Sequence, residues 1–151
     1  MISALLLGSL TTVINLAIQV MMILLIVRRL TARYDRSAGR ETTGRGMRVL
    51  VVVLAGLFLG HLLQFATWAV LFVWLGEFAD FETAFYHSAV NFASLGYGDM
   101  VMSENWRLLG ALEATNGVLM LGLSAGAVLS VMNSVLSRQK VTVEGKEGLS
   151  S

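Results

Sequence analysis

The residues whose types and spacing could do chemistry are Ser94, Leu95, Gly96, Tyr97, Gly98 and Asp99 in a row, and the chemistry is that of the main chain. A cation is dehydrated without loss of solvation energy when consecutive carbonyl oxygens aim at one axis and replace its water. Gly96 and Gly98 can take positive φ, which costs an ordinary residue roughly 1 kcal/mol or more. Ser94 can add a hydroxyl oxygen at the inner end, while Leu95 and Tyr97 point away from the axis and pack as props. A Gly-Tyr-Gly-Asp tetrapeptide is also a common turn in soluble proteins, so the surrounding elements have to decide.

Those elements belong to a membrane. Of 151 residues 56% are hydrophobic and only 14% charged, against about a quarter charged in soluble domains. The absence of cysteine excludes disulfides and thiol-ligated metals. His61 and His87 lie too far apart for a metal pair. No nucleophile, base and metal constellation appears, so neither an enzyme nor a cofactor is expected, and no nucleic-acid partner.

Residues 2–27 carry no charge and exceed the roughly 20 needed to cross a bilayer. With no basic start and no small-residue cleavage site, residues 1–30 read as a membrane helix rather than a secretory signal. Thr12, Asn15 and Gln19 share one face, which predicts interhelical hydrogen bonds worth about 0.6 kcal/mol each. Residues 31–48 read as a basic linker, kept in the cytoplasm by its arginine excess and flexible at Gly39, Gly44 and Gly46. Arg29, Arg33 and Arg36 have a spacing similar to a voltage sensor's, but they lie outside the apolar run and Asp35 interrupts them.

Residues 49–76 form the second span. His61, Gln64 and Trp68 share a face, which predicts a neutral histidine bonded to a neighbouring helix, with the polar stripe of the first helix as its partner; a pH sensor is the alternative. Trp68 and Trp74 read as an outer interfacial belt. Residues 77–107 then hold Glu77, Asp80, Glu82, Asp99 and Glu104 against one base, a charge balance that concentrates cations at a mouth. Inside this stretch, residues 81–93 are apolar but too short to cross, and read as a pore helix capped by Asp80 with Glu82 in its first turn. Residues 94–99 follow as the ion-coordinating turn.

The inner helix, 106–137, contains Gly117, Gly122 and Gly126, which allow close packing or line a cavity. Glu113 is costly at membrane depth unless bonded, and is expected to serve the pore-loop backbone. Residues 138–151 form a tail placed in the cytoplasm by Arg138 and Lys140. The charge rule thus puts the N-terminus outside, the acidic loop outside and the C-terminus inside.

Ser94 to Asp99 resemble the filter of the potassium channel pore-domain family, which reads Thr-Val-Gly-Tyr-Gly-Asp. Gly96, Tyr97, Gly98 and Asp99 are identical, with Ser94 for threonine and Leu95 for valine. The resemblance covers residues 49–137 and implies K+ as the permeant ion, coordinated at Ser94, Leu95, Gly96 and Tyr97, with Gly98 completing the filter. It further implies that Tyr86 braces Asp99 and that His87 braces Tyr97 of a neighbouring subunit. Val90 departs from members that carry glutamate behind the filter. Gly117 falls at the family's hinge glycine; a packing glycine is the other reading.

The expected fold is an all-α membrane protein with three transmembrane helices, a re-entrant pore helix and a filter loop, assembled as a homotetramer. The expected function is passive K+ conduction in a plasma membrane, by resemblance the inner membrane of a bacterium. A weakly selective cation channel and a non-conducting accessory subunit are the alternatives.

Overall fold

The apolar runs become helices long enough to cross a bilayer because nothing interrupts them: no proline occurs anywhere in the chain, and in lipid every backbone polar group must find its partner within its own segment. The computed structural model describes residues 1–34 and 43–147. It contains α1 (Ile2–Tyr34), α2 (Thr43–Trp74), α3 (Phe81–Phe92) and α4 (Arg107–Glu147). Three of these carry apolar stretches of spanning length, Ile2–Arg29, Gly46–Trp74 and Arg107–Ser137. The chain is an all-helical, multi-pass membrane protein.

Helix continues further at the basic ends than the charge pattern suggested. α1 runs to Tyr34 and α2 begins at Thr43, so the linker expected over 31–48 is helical at both margins. Arginine is a good helix former; positive charge in the last turn of α1 complements its dipole, whereas Arg45 near the start of α2 opposes it. Asp35, Arg36, Gly39, Arg40 and Glu41 lie outside the described residues, as do the last residues of the tail.

α1 packs on α2 across a pair of small residues one turn apart. A Cβ on Gly56 would come within 2.8 Å of Ile26 Cδ1, and one on Gly60 within 3.2 Å of Met22 Cγ. That close approach of the backbones is how membrane helices associate when lipid removes the hydrophobic drive. The pairing also fixes register, with α1 antiparallel to α2. Gln19 then lies level with Gln64, and Trp68 about one turn beyond it. Trp68 is consequently fully buried, while Trp74 is 73% exposed; only Trp74 stands where the outer belt was expected.

The core lies in the half of the bundle that holds α3. Trp68 and Phe72 of α2, Ala84 and Phe92 of α3, and Leu109 and Met120 of α4 are buried together with Ala4 of α1. The rings of Phe65 and Phe92 meet edge-on at 5.0 Å. These contacts wedge α3 between α2 and α4. At 12 residues and 1.5 Å per residue it reaches about 18 Å, too short to cross.

Asp80 caps α3 as expected: its carboxylate accepts from the Thr83 backbone N–H at 2.8 Å and from the Thr83 hydroxyl at 2.9 Å. Those bonds hold the exposed carboxyl below its usual range. The cap's stabilisation is complete above the unfolded value near about 3.9 and is lost as pH falls through the lower folded value. Thermal unfolding in micelles across this acid window should show wild type losing stability. Asp80→Asn, which still caps, should show a flatter profile, and superimposable profiles would contradict the assignment.

Candidate functional site

The turn out of α3 is built by a helix cap. Leu95 N–H donates to the Val90 carbonyl at 3.0 Å and Ser94 N–H to the Asn91 carbonyl at 2.8 Å, with Ala93 as the C-cap. This is the Schellman pattern, whose first residue past the cap takes the left-handed conformation and is usually glycine. Here it is Ser94, at φ 58°. Positive φ was expected at the two glycines alone; Ser94 joins them because it is the first residue past the helix cap. Gly96 and Gly98 follow at φ 58° and 73°. Left-handed residues therefore alternate along 94–98, with Leu95 and Tyr97 between them at negative φ.

Residues 93–100 are exposed in the single chain, including Leu95 at 55% and Tyr97 at 65%. The far end of the turn is tied down. Tyr86 donates its hydroxyl to Asp99 Oδ2 at 2.8 Å, the contact the resemblance implied, and Asp99 Oδ1 accepts from Met100 N–H at 3.1 Å. Glu77, just past α2, takes two hydrogen bonds from Ser103, backbone and hydroxyl, each at 2.7 Å. The acid expected to draw cations thus also anchors the segment leaving the turn.

His87 is buried between the rings of Phe78 and Phe72, at 4.8 and 5.6 Å. It hydrogen-bonds the backbone of Met100 in its own chain, and its Nε2 is buried without a partner among the described residues. Within the chain its bond to the segment leaving the turn is to Met100.

Behind the turn, α4 grips α3 at successive points. Glu113 is fully buried; one carboxylate oxygen accepts from the Ser88 hydroxyl and the other from Asn91 Nδ2 at 3.1 Å. Asn91 Nδ2 also donates to the Gly110 carbonyl at 3.0 Å. The partners of Glu113 are side chains of the pore helix, where the sequence reading expected pore-loop backbone. A glutamate from the inner helix thus occupies the back of the pore helix even though Val90 supplies no carboxyl. One turn further on, a Cβ on Gly117 would lie 1.9 Å from the Phe92 carbonyl oxygen. Gly117 is a packing glycine in this structure, and α4 is continuous through it.

A short helix ending in a turn of alternating hand, braced by a tyrosine and an aspartate and held between two spans, is the arrangement of a pore loop. A family model described as an ion channel matches residues 49–134, more than half of the 151-residue chain. The chain belongs to this ion channel family. Its matched region comprises α2, α3, the turn and α4 almost to the end of its span, and leaves α1 outside. No curated protein and no solved structure matches the chain.

The polar faces of α1 and α2 meet as expected, through Gln19 and Gln64, whose side chains bond at 2.8 Å. Thr12 differs: its hydroxyl turns back to the Gly8 carbonyl at 2.8 Å, the local bond that threonine makes readily in a helix. Among the described residues no group of three or more histidines, aspartates or glutamates could hold a metal ion.

Proposed function

We propose that this ion channel is potassium-selective and conducts passively through a ring of four copies. The observation that carries the reading is the alternation of hand at Ser94, Gly96 and Gly98. Alternation cancels the pleat of an extended strand and turns successive carbonyls towards one side, the geometry needed to replace an ion's water. One chain offers one such strand, and cyclic symmetry supplies the others. The exposure of Leu95 and Tyr97 supports this, since both side chains then pack against neighbouring copies.

In this reading Ser94, Leu95, Gly96 and Tyr97 coordinate K+ and Gly98 completes the filter. Asp99 attracts cations while Tyr86 holds it, and His87 backs the exit through Met100. The N-terminus lies outside and the C-terminus in the cytoplasm, in a bacterial inner membrane.

Reversal potentials of the purified protein in planar bilayers, with potassium on one side and sodium on the other, test it. A value near the potassium equilibrium potential is expected. Current that reverses near zero would establish a weakly selective cation pore instead, and a silent protein in every condition would favour an accessory role.

A further inference from the structure

Four side chains from three helices close a ring of hydrogen bonds inside the membrane. Gln19 Nε2 of α1 donates to Ser124 Oγ of α4 at 2.8 Å. Ser124 Oγ lies 3.0 Å from His61 Nε2 of α2, and His61 Nδ1 lies 3.3 Å from Gln64 Oε1. Gln64 Nε2 returns to Gln19 Oε1 at 2.8 Å, and reaches the Asn15 carbonyl at 3.4 Å. A neutral His61 with its proton on Nδ1 gives each contact in the ring one donor and one acceptor. Gln19 and Gln64 are fully buried, and His61 and Ser124 nearly so.

Along α4 this ring is the last point of burial. Leu109, Glu113, Asn116, Gly117, Met120 and Ser124 are buried, whereas no residue from 125 to 137 is. Below the ring a cavity of about 470 Å³ separates α2 from α4, walled by Leu54, Leu57 and Phe58 on one side and Val128, Leu129 and Met132 on the other. Gly122 and Gly126 flank Ser124, and a Cβ on either would meet nothing within 4 Å. Within one copy the inner helix is therefore held by its neighbouring helices as far as Ser124 and by few of them below it.

We propose that Gln19 and His61 are positioning residues for conduction: through Ser124 they set the point about which the cytoplasmic half of α4 swings. The proposal rests on the channel reading. It makes α1, which lies outside the family match, a working part of the pore. It also puts the pivot about two helical turns below Gly117, at the last side-chain bond that α4 makes, among the described residues, to α1 and α2 of its own copy.

The chain has no cysteine, so single spin labels can be introduced at Asn133 below Ser124 and at Thr115 above it in the full-length reconstituted protein. Ser124→Ala is expected to shift or broaden the distances between labels at position 133 and leave those at 115 unchanged. In bilayers it should change open probability by about threefold or more, a modest population shift. Ser124→Thr keeps the hydroxyl and should restore both readouts. Gln19→Met removes the α1 side of the same bond and should act alike, so the double variant should go no further than either single one; it also serves if Ser124→Ala does not assemble. Variants that conduct with wild-type open probability and unchanged distances overturn the proposal. A wild-type protein that carries no current in the same bilayers overturns the channel reading itself.

Discussion

Gly117→Ala is expected to impair conduction strongly. The added methyl would sit 1.9 Å from the Phe92 carbonyl oxygen, 2.7 Å from its carbon and 3.0 Å from its Cα, and none of these backbone atoms can rotate away. Overpacking of this kind typically costs about 1–3 kcal/mol and occasionally more. The strain falls on the last turn of the pore helix, whose next residues form the cap that turns Ser94 into the left-handed conformation. Relief requires α4 to retreat or that turn to shift, and either displaces the residues from Ser94 onward, the start of the proposed filter. Flux into vesicles should fall by more than about tenfold, the factor that about 1.4 kcal/mol represents. Flux within twofold of wild type would show that the approach of α4 to Phe92 is looser than the structure has it.

The second large effect is expected at Glu113. Replacement by leucine removes both acceptors that join α4 to the pore helix, stranding the Ser88 hydroxyl and leaving Asn91 with Gly110 alone. A buried polar group without a partner costs about 1–3 kcal/mol, and within a membrane no water relieves it. Glu113→Leu should therefore lower the melting temperature of the assembled protein and move its potassium-sodium reversal potential towards zero, as the turn after Asn91 loosens. Glu113→Gln should behave nearly as wild type. Its amide oxygen can still accept from Asn91, and its amide nitrogen can donate to a Ser88 hydroxyl that turns to accept. If leucine is as well tolerated as glutamine, the tie is ornamental.

The parts of this structure that could be read along the chain are those set by local pattern. Uninterrupted apolar runs fixed the spans, the short run after Asp80 fixed the pore helix, and the cap formed as its residue type dictates. Of the polar stripes on α1 and α2 only Gln19 and Gln64 join side chain to side chain. Gln64 reaches the Asn15 carbonyl while the Asn15 side chain is buried without a partner among the described residues, and His61 bonds Ser124 of α4 instead of α1. The bond between Tyr86 and Asp99 came from the family resemblance rather than from spacing.

What could not be read was which surfaces meet. Gly56 and Gly60 carry the small-xxx-small signature of a helix contact, yet nothing in the sequence named Ile26 and Met22 as their partners. For Gly117 the same spacing serves a hinge and a close contact, and only the position of Phe92 separates them. Glu113 had to be bonded, but whether by backbone or by Ser88 and Asn91 depends on how α3 rolls about its axis. That rotation is set by Phe65 of α2 packing on Phe85 and Phe92 of α3, a property of two separated segments.

The exposure of residues 93–100 in one chain bears on how the protein is made. On the four-copy reading, a lone protomer has its helices paired and its core packed but leaves the large side chains of Leu95 and Tyr97 uncovered. On that reading completion depends on how often copies meet in the plane of the bilayer, and the stability of the whole becomes a function of protomer density. Cells that synthesise the chain sparsely should then hold a reservoir of folded but unfinished subunits, exposed to membrane proteases until they meet partners. Abundance, as much as sequence, would set the number of working pores.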